Sequence, residues 1–312
     1  MQHKKYASKV IRGAASVLML GAAVTIVSAQ QAPPTGGGAG GRAPQPLMVH
    51  QLKPNIYWVE GGGGNSAVIV GDKGVIVVDA KTTAAAGAEL VADIAKITPK
   101  PITTVIITHS DGDHVNGLAS FPAGITIIAH ENCKTEMQAA SGTPAGAALA
   151  DHMPTQTVSK NMENMTIEGV HLRLLHFAPA HTSGDLMVYL PDDKIMFTGD
   201  IVATQTPYAL IHLEKNGSTD GWVTTINGIL ATDAVTFVPG HGGAQAKVDL
   251  QKRLVDTIAR RDQIKALVAQ GKSLDEVRQA LNEQPPAARP GGGPGPNFAD
   301  YTGIVYNEQT KK

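Results

Sequence analysis

A single cysteine, Cys133, excludes an intramolecular disulfide, even for a chain that enters an oxidising compartment. With no second cysteine nearby and no nucleophile motif around it, Cys133 reads as a small, semi-buried residue. There is no Gly-x-Ser-x-Gly motif, so a serine nucleophile on a strand-to-helix elbow is not indicated. There is no run of Lys and Arg, and 26 basic residues stand against 27 acidic ones. A polyanionic partner such as nucleic acid needs a positive surface, and this balance disfavours one. No apolar run reaches the roughly 20 residues of a spanning helix. No solenoid-type repeat is visible, and no composition break divides the central body.

The longest apolar run, from Gly13 to Val27, follows Lys4, Lys5, Lys9 and Arg12 and precedes the small residues Val27-Ser28-Ala29. A basic start, a short apolar stretch and a small-residue cleavage site predict an export signal over residues 1–29. The expected location is periplasmic or secreted, with no stable membrane span after cleavage. Loss of those four basic residues leaves 22 basic against 27 acidic, a net of −5. Residues 30–47 are rich in Gly, Pro, Ala and Gln and read as a flexible linker. Residues 48–284 form the expected folded domain, and 285–312 a Gly/Pro-rich segment and tail.

The domain opens with β patterns: Asn55 to Glu60, then four consecutive glycines (Gly61 to Gly64), Ser66 to Val70 and Gly74 to Ala80. Thr83 to Ile97 is Ala-rich and reads as a helix. The β-branched run Pro101 to Thr108 reads as a buried strand, and Ile125 to Ala129 as another. In the second half, Met165 to Phe177 suggests a hairpin turning near Glu168-Gly169. Leu186 to Leu190, Lys194 to Thr198 and Val235 to Val238 read as strands. Asp220 to Ala231, Lys247 to Gly271 and Leu274 to Leu281 read as helices. Strands followed by helices, twice over, argue a layered α/β or α+β domain.

Chemistry concentrates where these strands end. His109-Ser110-Asp111-Gly112-Asp113-His114 directly follows Thr108 and puts four metal-capable side chains into six residues. The simpler account is a polar turn in which Asp113 caps a helix starting near Val115. His181 in AHTSGD, Asp200 ending MFTGD and His241 ending VTFVPGH weigh against it. Each is a metal-ligand type placed where an apolar strand starts or stops, and strand ends along one sheet edge converge in space.

These phrases, THSDGDHVNG, HTSGDLMVYLP, FTGD and VPGHG, resemble the metallo-β-lactamase superfamily of hydrolases over the body from about Val49 to Leu281. The resemblance implies a four-layer αβ/βα sandwich and a two-metal site. It assigns His109 and His181 to a first metal position, Asp113, His114 and His241 to a second, and Asp200 to a bridge between them. Asp111 stands where the family has its second histidine. A carboxylate ligates zinc at a length similar to imidazole. It is shorter than histidine, though, and three carboxylates make the set more attractive to harder ions. The expected cofactor is zinc, two ions, with manganese or iron as alternatives.

Two such ions about 3.5–4 Å apart share a water and ionise it at neutral pH. Asp113 is the expected catalytic residue, orienting that nucleophile and passing its proton on. The Gly61 to Gly64 run has two readings, a mobile flap over the site or a tolerant turn. Asp79 reads as a structural carboxylate bonding backbone amides near the metal loop. Tyr208, His212 and Lys215 are the polar candidates for substrate contact, with ordinary surface placement the simpler account. His50, His130, His152, His171 and His176 match no motif and read as structural or exposed. The expected partner is a small-molecule substrate with a carbonyl centre: a β-lactam, lactone or thioester. The alternatives are a non-catalytic or single-metal binding protein weakened at Asp111, or a phosphodiesterase.

Overall fold

The structure is a computed structural model and describes residues 46–143, 146–285 and 300–311. The expected leader, residues 30–45 of the expected linker and residues 286–299 lie outside the described residues.

Two sheets carry the fold. The first contains β1 (Met48–Lys53), β2 (Ile56–Glu60), β3 (Ser66–Val70), β4 (Val75–Val78), β5 (Ile102–Ile106), β6 (Thr126–His130) and β7 (Gln156–Val158) in that spatial order. β1 to β4 pair antiparallel and β4 to β7 parallel. The second sheet runs from β8 (Met162–Ile167) through β9 (Val170–Leu175), β10 (Met187–Leu190) and β11 (Ile195–Ala203) to β12 (Thr236–His241) and β13 (Gln245–Ala246). Its one parallel pair is β11 with β12. Seven helices accompany them among the described residues: α1 (Ala84–Ile97), α2 (Gly112–Val115), α3 (Glu131–Ser141), α4 (Thr219–Leu230), α5 (Lys247–Ala269), α6 (Leu274–Ala280) and α7 (Tyr301–Thr310).

The layering follows from the two-residue period of strand side chains. In β4, Ile76 and Val78 point one way, and Val75 and Val77 the other. Ile76 and Val78 join Ile106 and Ile128 of the first sheet and Leu172, Leu174, Val188, Phe197 and Val238 of the second in a core between the sheets. Val75 and Val77 pack instead with Leu90 and Ile94 of α1 and Cys133 and Met137 of α3. On the outer face of the second sheet, Tyr189, Met196 and Phe237 meet Trp222 and Ile226 of α4, Leu250 of α5 and Ile304 of α7. Three cores separate four layers, the expected αβ/βα sandwich. Cys133 is fully buried.

Local sequence explains most boundaries. The Thr83 side chain accepts from Ala86 N at 3.1 Å and starts α1. Glu168 and Gly169 both take positive φ, 50° and 78°, the backbone of a two-residue hairpin turn joining β8 to β9. Two elements fall where composition gave no signal. Leu47, the last residue of the expected linker, is buried and its amide donates to Glu89 Oε1. Tyr301–Thr310, within the expected tail, is a helix with Ile304 and Val305 buried against α5 and α6. No helix among the described residues is long and apolar enough to cross a membrane.

Candidate metal centre

β5 ends at Ile106, and three residues later the chain enters the loop that carries His109, Asp111, Asp113 and His114. Asp111 occupies the N-cap of α2, yet its side chain makes no capping bond. It turns instead toward Lys215 and a group of histidines. Asp113 lies inside α2 rather than capping a helix at Val115, so the simpler account of this loop does not hold. His181 comes from the loop before β10, Asp200 from within β11 and His241 from the end of β12. The structure brings all seven residues together, and Asp111, Asp113, Asp200 and His241 line a cleft of about 770 Å³ beside the buried histidines.

Their ligand atoms fall into three overlapping groups, each with all atoms within 4.8 Å of one another: His109, Asp111 and His181; His109, His114 and Asp200; Asp113, His114 and His241. Asp200 touches both halves, with Oδ1 3.4 Å from His114 Nε2 and Oδ2 3.9 Å from His181 Nε2 and 3.5 Å from His241 Nε2. Asp113 Oδ2 is 3.0 Å from His241 Nε2.

The outer nitrogens are fixed from behind. Asp79 Oδ2 accepts from His114 Nδ1 at 2.7 Å and from Thr108 Oγ1 at 2.7 Å, while Asp79 Oδ1 accepts from the Thr108 amide. Thr108 Oγ1 in turn accepts from His109 Nδ1 at 2.9 Å. His181 Nδ1 donates to the Leu210 carbonyl at 3.0 Å. Each of these three rings therefore presents Nε2 inward, the arrangement that sets tautomer and aim in metal-ligating histidines. Asp79 does bond a backbone amide near the metal loop, as its sequence context suggests, and it also holds His114. Its own backbone is left-handed, with φ 61°.

His109 Nε2, His114 Nε2 and Asp200 Oδ1 are buried and have no hydrogen-bond partner. Buried polar atoms without partners are costly, and three converging on one point fit a cation that would satisfy them together. The carboxylates and His109 are in the states a cation needs. At His114, His181 and His241 burial is outweighed by the facing carboxylates, which raise these imidazoles above their ordinary value, so a metal ion would displace a proton from each of those three rings. Burial opposes ionisation of Asp200, but His114, His181 and His241 outweigh it and hold the carboxyl below its usual range. Burial also opposes ionisation of Asp111. The hydrogen bond with His181 and the nearby imidazoles outweigh it and hold that carboxyl well below the usual range. Burial, reinforced by His114, pushes His109 well below its ordinary value and keeps it neutral.

The three polar candidates after Asp200 divide. Lys215 Nζ donates to Asp111 Oδ1 at 2.5 Å and to Ser110 Oγ at 2.8 Å. Ser110 Oγ donates on to Glu136, which also accepts from Ser183 Oγ. His212 is buried, not a surface residue, with Nε2 3.4 Å from Asp111 Oδ2. Tyr208 belongs to a neighbouring cavity of about 470 Å³, where Arg260 Nε donates to its hydroxyl. Of the other histidines, His50 stacks on Trp58, His130 on His176, and His171 is exposed beside Asp192; none lines the cleft.

The glycine run is pinned rather than poised. Gly64 N donates to Asp113 O at 3.0 Å, Thr82 N to Gly62 O at 2.9 Å and Asn65 N to Gly240 O at 2.7 Å. Gly61, Gly62 and Gly63 have positive φ. A Cβ on Gly64 would lie 2.2 Å from His114 Cε1, so glycine is needed there for close approach to the ring.

Comparison with known proteins agrees with this geometry. The family model described as Metallo-beta-lactamase superfamily matches residues 59–241, more than half of the chain. This chain belongs to the metallo-beta-lactamase superfamily. Among superfamily relatives, the 2,4-dinitroanisole O-demethylase subunit alpha of Nocardioides sp. (strain JS1661) is 26% identical over 62% of this chain and 57% of its own length. The linear primary-alkylsulfatase of Pseudomonas sp. (strain ATCC 19151) is 25% identical over 76% of this chain and 53% of its own. The chain thus spans a little over half the length of these two relatives. A solved metallo-beta-lactamase from Pontibacter korlensis superposes with a TM-score of 0.57 at 19% identity, covering 67% of this chain and 97% of that one. It is a likeness of fold.

Proposed function

We propose that the protein is an exported hydrolase that cleaves a small ester-like or amide-like substrate at a divalent metal centre built from His109, Asp111, Asp113, His114, His181, Asp200 and His241. The observation that carries this reading is the grouping of His109, His114 and Asp200, whose Nε2, Nε2 and Oδ1 atoms are buried without a hydrogen-bond partner, beside a cleft that Asp200 lines. Bound there, divalent metal ions supply a water that ionises near neutral pH and a Lewis acid for the substrate oxygen.

The chain's own groups do the rest. Asp79 and Thr108 lock the His109 and His114 tautomers from behind. Asp113 is the catalytic residue of this reading. It is the most exposed of the three site carboxylates and lines the cleft, where Oδ2 can orient a nucleophilic water and take its proton. β-Lactams, lactones and thioesters are the carbonyl substrates of this proposal, with zinc as the first metal to test and manganese or iron as alternatives. A sulfate ester is the second reading, supported by the likeness to a linear primary-alkylsulfatase.

The test is hydrolysis of a chromogenic cephalosporin, an aryl lactone, a thioester and a linear alkyl sulfate, each with and without a chelator. Turnover of one class, abolished by the chelator and restored by zinc or manganese, is the expected result and names the substrate class. Turnover indifferent to the chelator would remove the metal from the reading.

A further inference from the structure

One oxygen of Asp111 stands at the centre of a ring of imidazoles. Its Oδ2 lies 3.2 Å from His181 Nε2, 3.4 Å from His212 Nε2 and 3.7 Å from His109 Nε2. Around a tetrahedral ion with bonds of about 2.0–2.1 Å, neighbouring ligand atoms sit about 3.4 Å apart. The three oxygen–nitrogen separations bracket that value. His109, Asp111 and His181 already form a set with all ligand atoms within 4.8 Å of one another, and His212 would turn its ring inward to share the ion. His109 and His181 are the two histidines that the strand-end motifs supply. His212 is the third, and no motif announces it.

We propose that His212 is a ligand of the first metal position, restoring there the imidazole that Asp111 displaces. This rests on the metal reading above. The position then has three imidazoles, His109, His181 and His212, and one carboxylate oxygen, Asp111 Oδ2.

The local fold is built to deliver it. His212 N donates to the His181 carbonyl at 2.8 Å, which ties the two histidine backbones together. Their rings meet edge to face with centroids 4.5 Å apart. The 3-10 turn Leu213–Lys215 follows at once and is closed by Asn216 in the left-handed conformation, φ 56°. Lys215 N and Gly217 N both donate to the His212 carbonyl. That single turn brings two side chains to the two oxygens of one carboxylate. Lys215 Nζ takes Oδ1, and His212 faces Oδ2. With Oδ1 held by the ammonium, Asp111 has only Oδ2 to offer an ion. On the far side of the His212 ring, Nδ1 lies 3.1 Å from Glu214 Oε1.

Cobalt(II) binding by the full chain tests this, read by metal content after dialysis, by chelator competition and by the visible ligand-field spectrum. In His212→Ala we expect one binding step to weaken on the order of 100-fold, with loss of the matching part of the spectrum, while the step owed to Asp113, His114 and His241 persists. Wild-type binding and spectrum retained in His212→Ala would overturn the assignment and leave the metal reading intact. A wild type that binds no cobalt would overturn both. If circular dichroism shows that His212→Ala does not fold, the count is made on histidine-labelled wild type by paramagnetic NMR. Five metal-shifted imidazoles support His212, and four exclude it.

Discussion

At the residue scale, Asp111 is engaged on both oxygens, Oδ1 by the Lys215 ammonium at 2.5 Å and Oδ2 by His181 Nε2 at 3.2 Å. His109, Asp111, Asp113, His114, His181, Asp200 and His241 each read in the sequence as lying where an apolar run starts or stops, so a local pattern announces each one, although Asp200 proves to lie within β11. His212 sits inside the apolar phrase Ala209 to Leu213 and has no such flag. Its burial depends on a backbone bond to His181, 31 positions earlier in the chain, which no local pattern encodes. Lys215 was legible only as a polar residue. Its role follows from the Asp111 carboxylate that it meets. Asp79 was legible as a structural carboxylate bonding backbone amides near the metal loop but not as the group that aims His114. Asp79→Asn tests that role, because Asn tolerates the left-handed backbone there and removes only the charge and one acceptor. Metal affinity should fall about 10- to 100-fold, in line with loss of a partner behind a ligating histidine. Equilibrium competition with a chromophoric chelator measures it, and unchanged affinity would mean that Thr108 and packing suffice to hold the ring.

At the scale of elements, the glycine run and its neighbour Lys81 show why a turn that composition marks as flexible is fixed. Lys81 is fully buried, and its ammonium donates to the Val59 carbonyl at 2.7 Å and the Gly64 carbonyl at 2.9 Å. It clamps the end of β2 to the end of the glycine loop, a contact between segments that no window of the sequence contains. Burial outweighs the attraction of Asp79 and Glu60 and lowers the Lys81 ammonium from its ordinary 10.5 to about 7. Between those values the unfolded chain holds a proton at this position that the folded chain has released. Stability therefore rises with pH through the window from about 7 to 10.5, because the state binding more protons is favoured by acid. Below that window the folded state carries the cost of a buried charge. In Lys81→Met this contribution disappears, so the difference in urea midpoint between wild type and variant should shift in favour of the wild type as pH is raised. A difference that stays constant with pH would show that Lys81 is charged throughout.

On the scale of the whole molecule, strands followed by helices, twice over, were enough to foresee a layered fold, and in the structure β3, β4 and β5 each show one face to the other sheet and one to helices. α7 was not foreseeable. It follows a Gly- and Pro-rich stretch, and its ten residues, YTGIVYNEQT, carry only a short apolar segment. Its place is set by the outer core of the second sheet, where Ile304 and Val305 complete a surface shared with Trp222 and Leu250. Glu308 also reaches the start of α4, accepting from Thr219 N at 2.8 Å and from its hydroxyl. A carboxylate at a helix N-terminus satisfies open amides and complements the helix dipole. Thr219 follows closely on the turn that carries His212 and Lys215, so α7 braces the helix on which that turn abuts. Ile304→Ala separates bracing from chemistry. Ile304 is 2% exposed, and truncating a buried isoleucine to alanine costs about 2–5 kcal/mol. The urea midpoint should fall accordingly with little change in slope. Metal content at saturating ion should stay at the wild-type level, because the ligands come from loops and strand ends whose own partners remain. A loss of bound metal that parallels the loss of stability would mean instead that α7 is part of what holds the His212 turn in place.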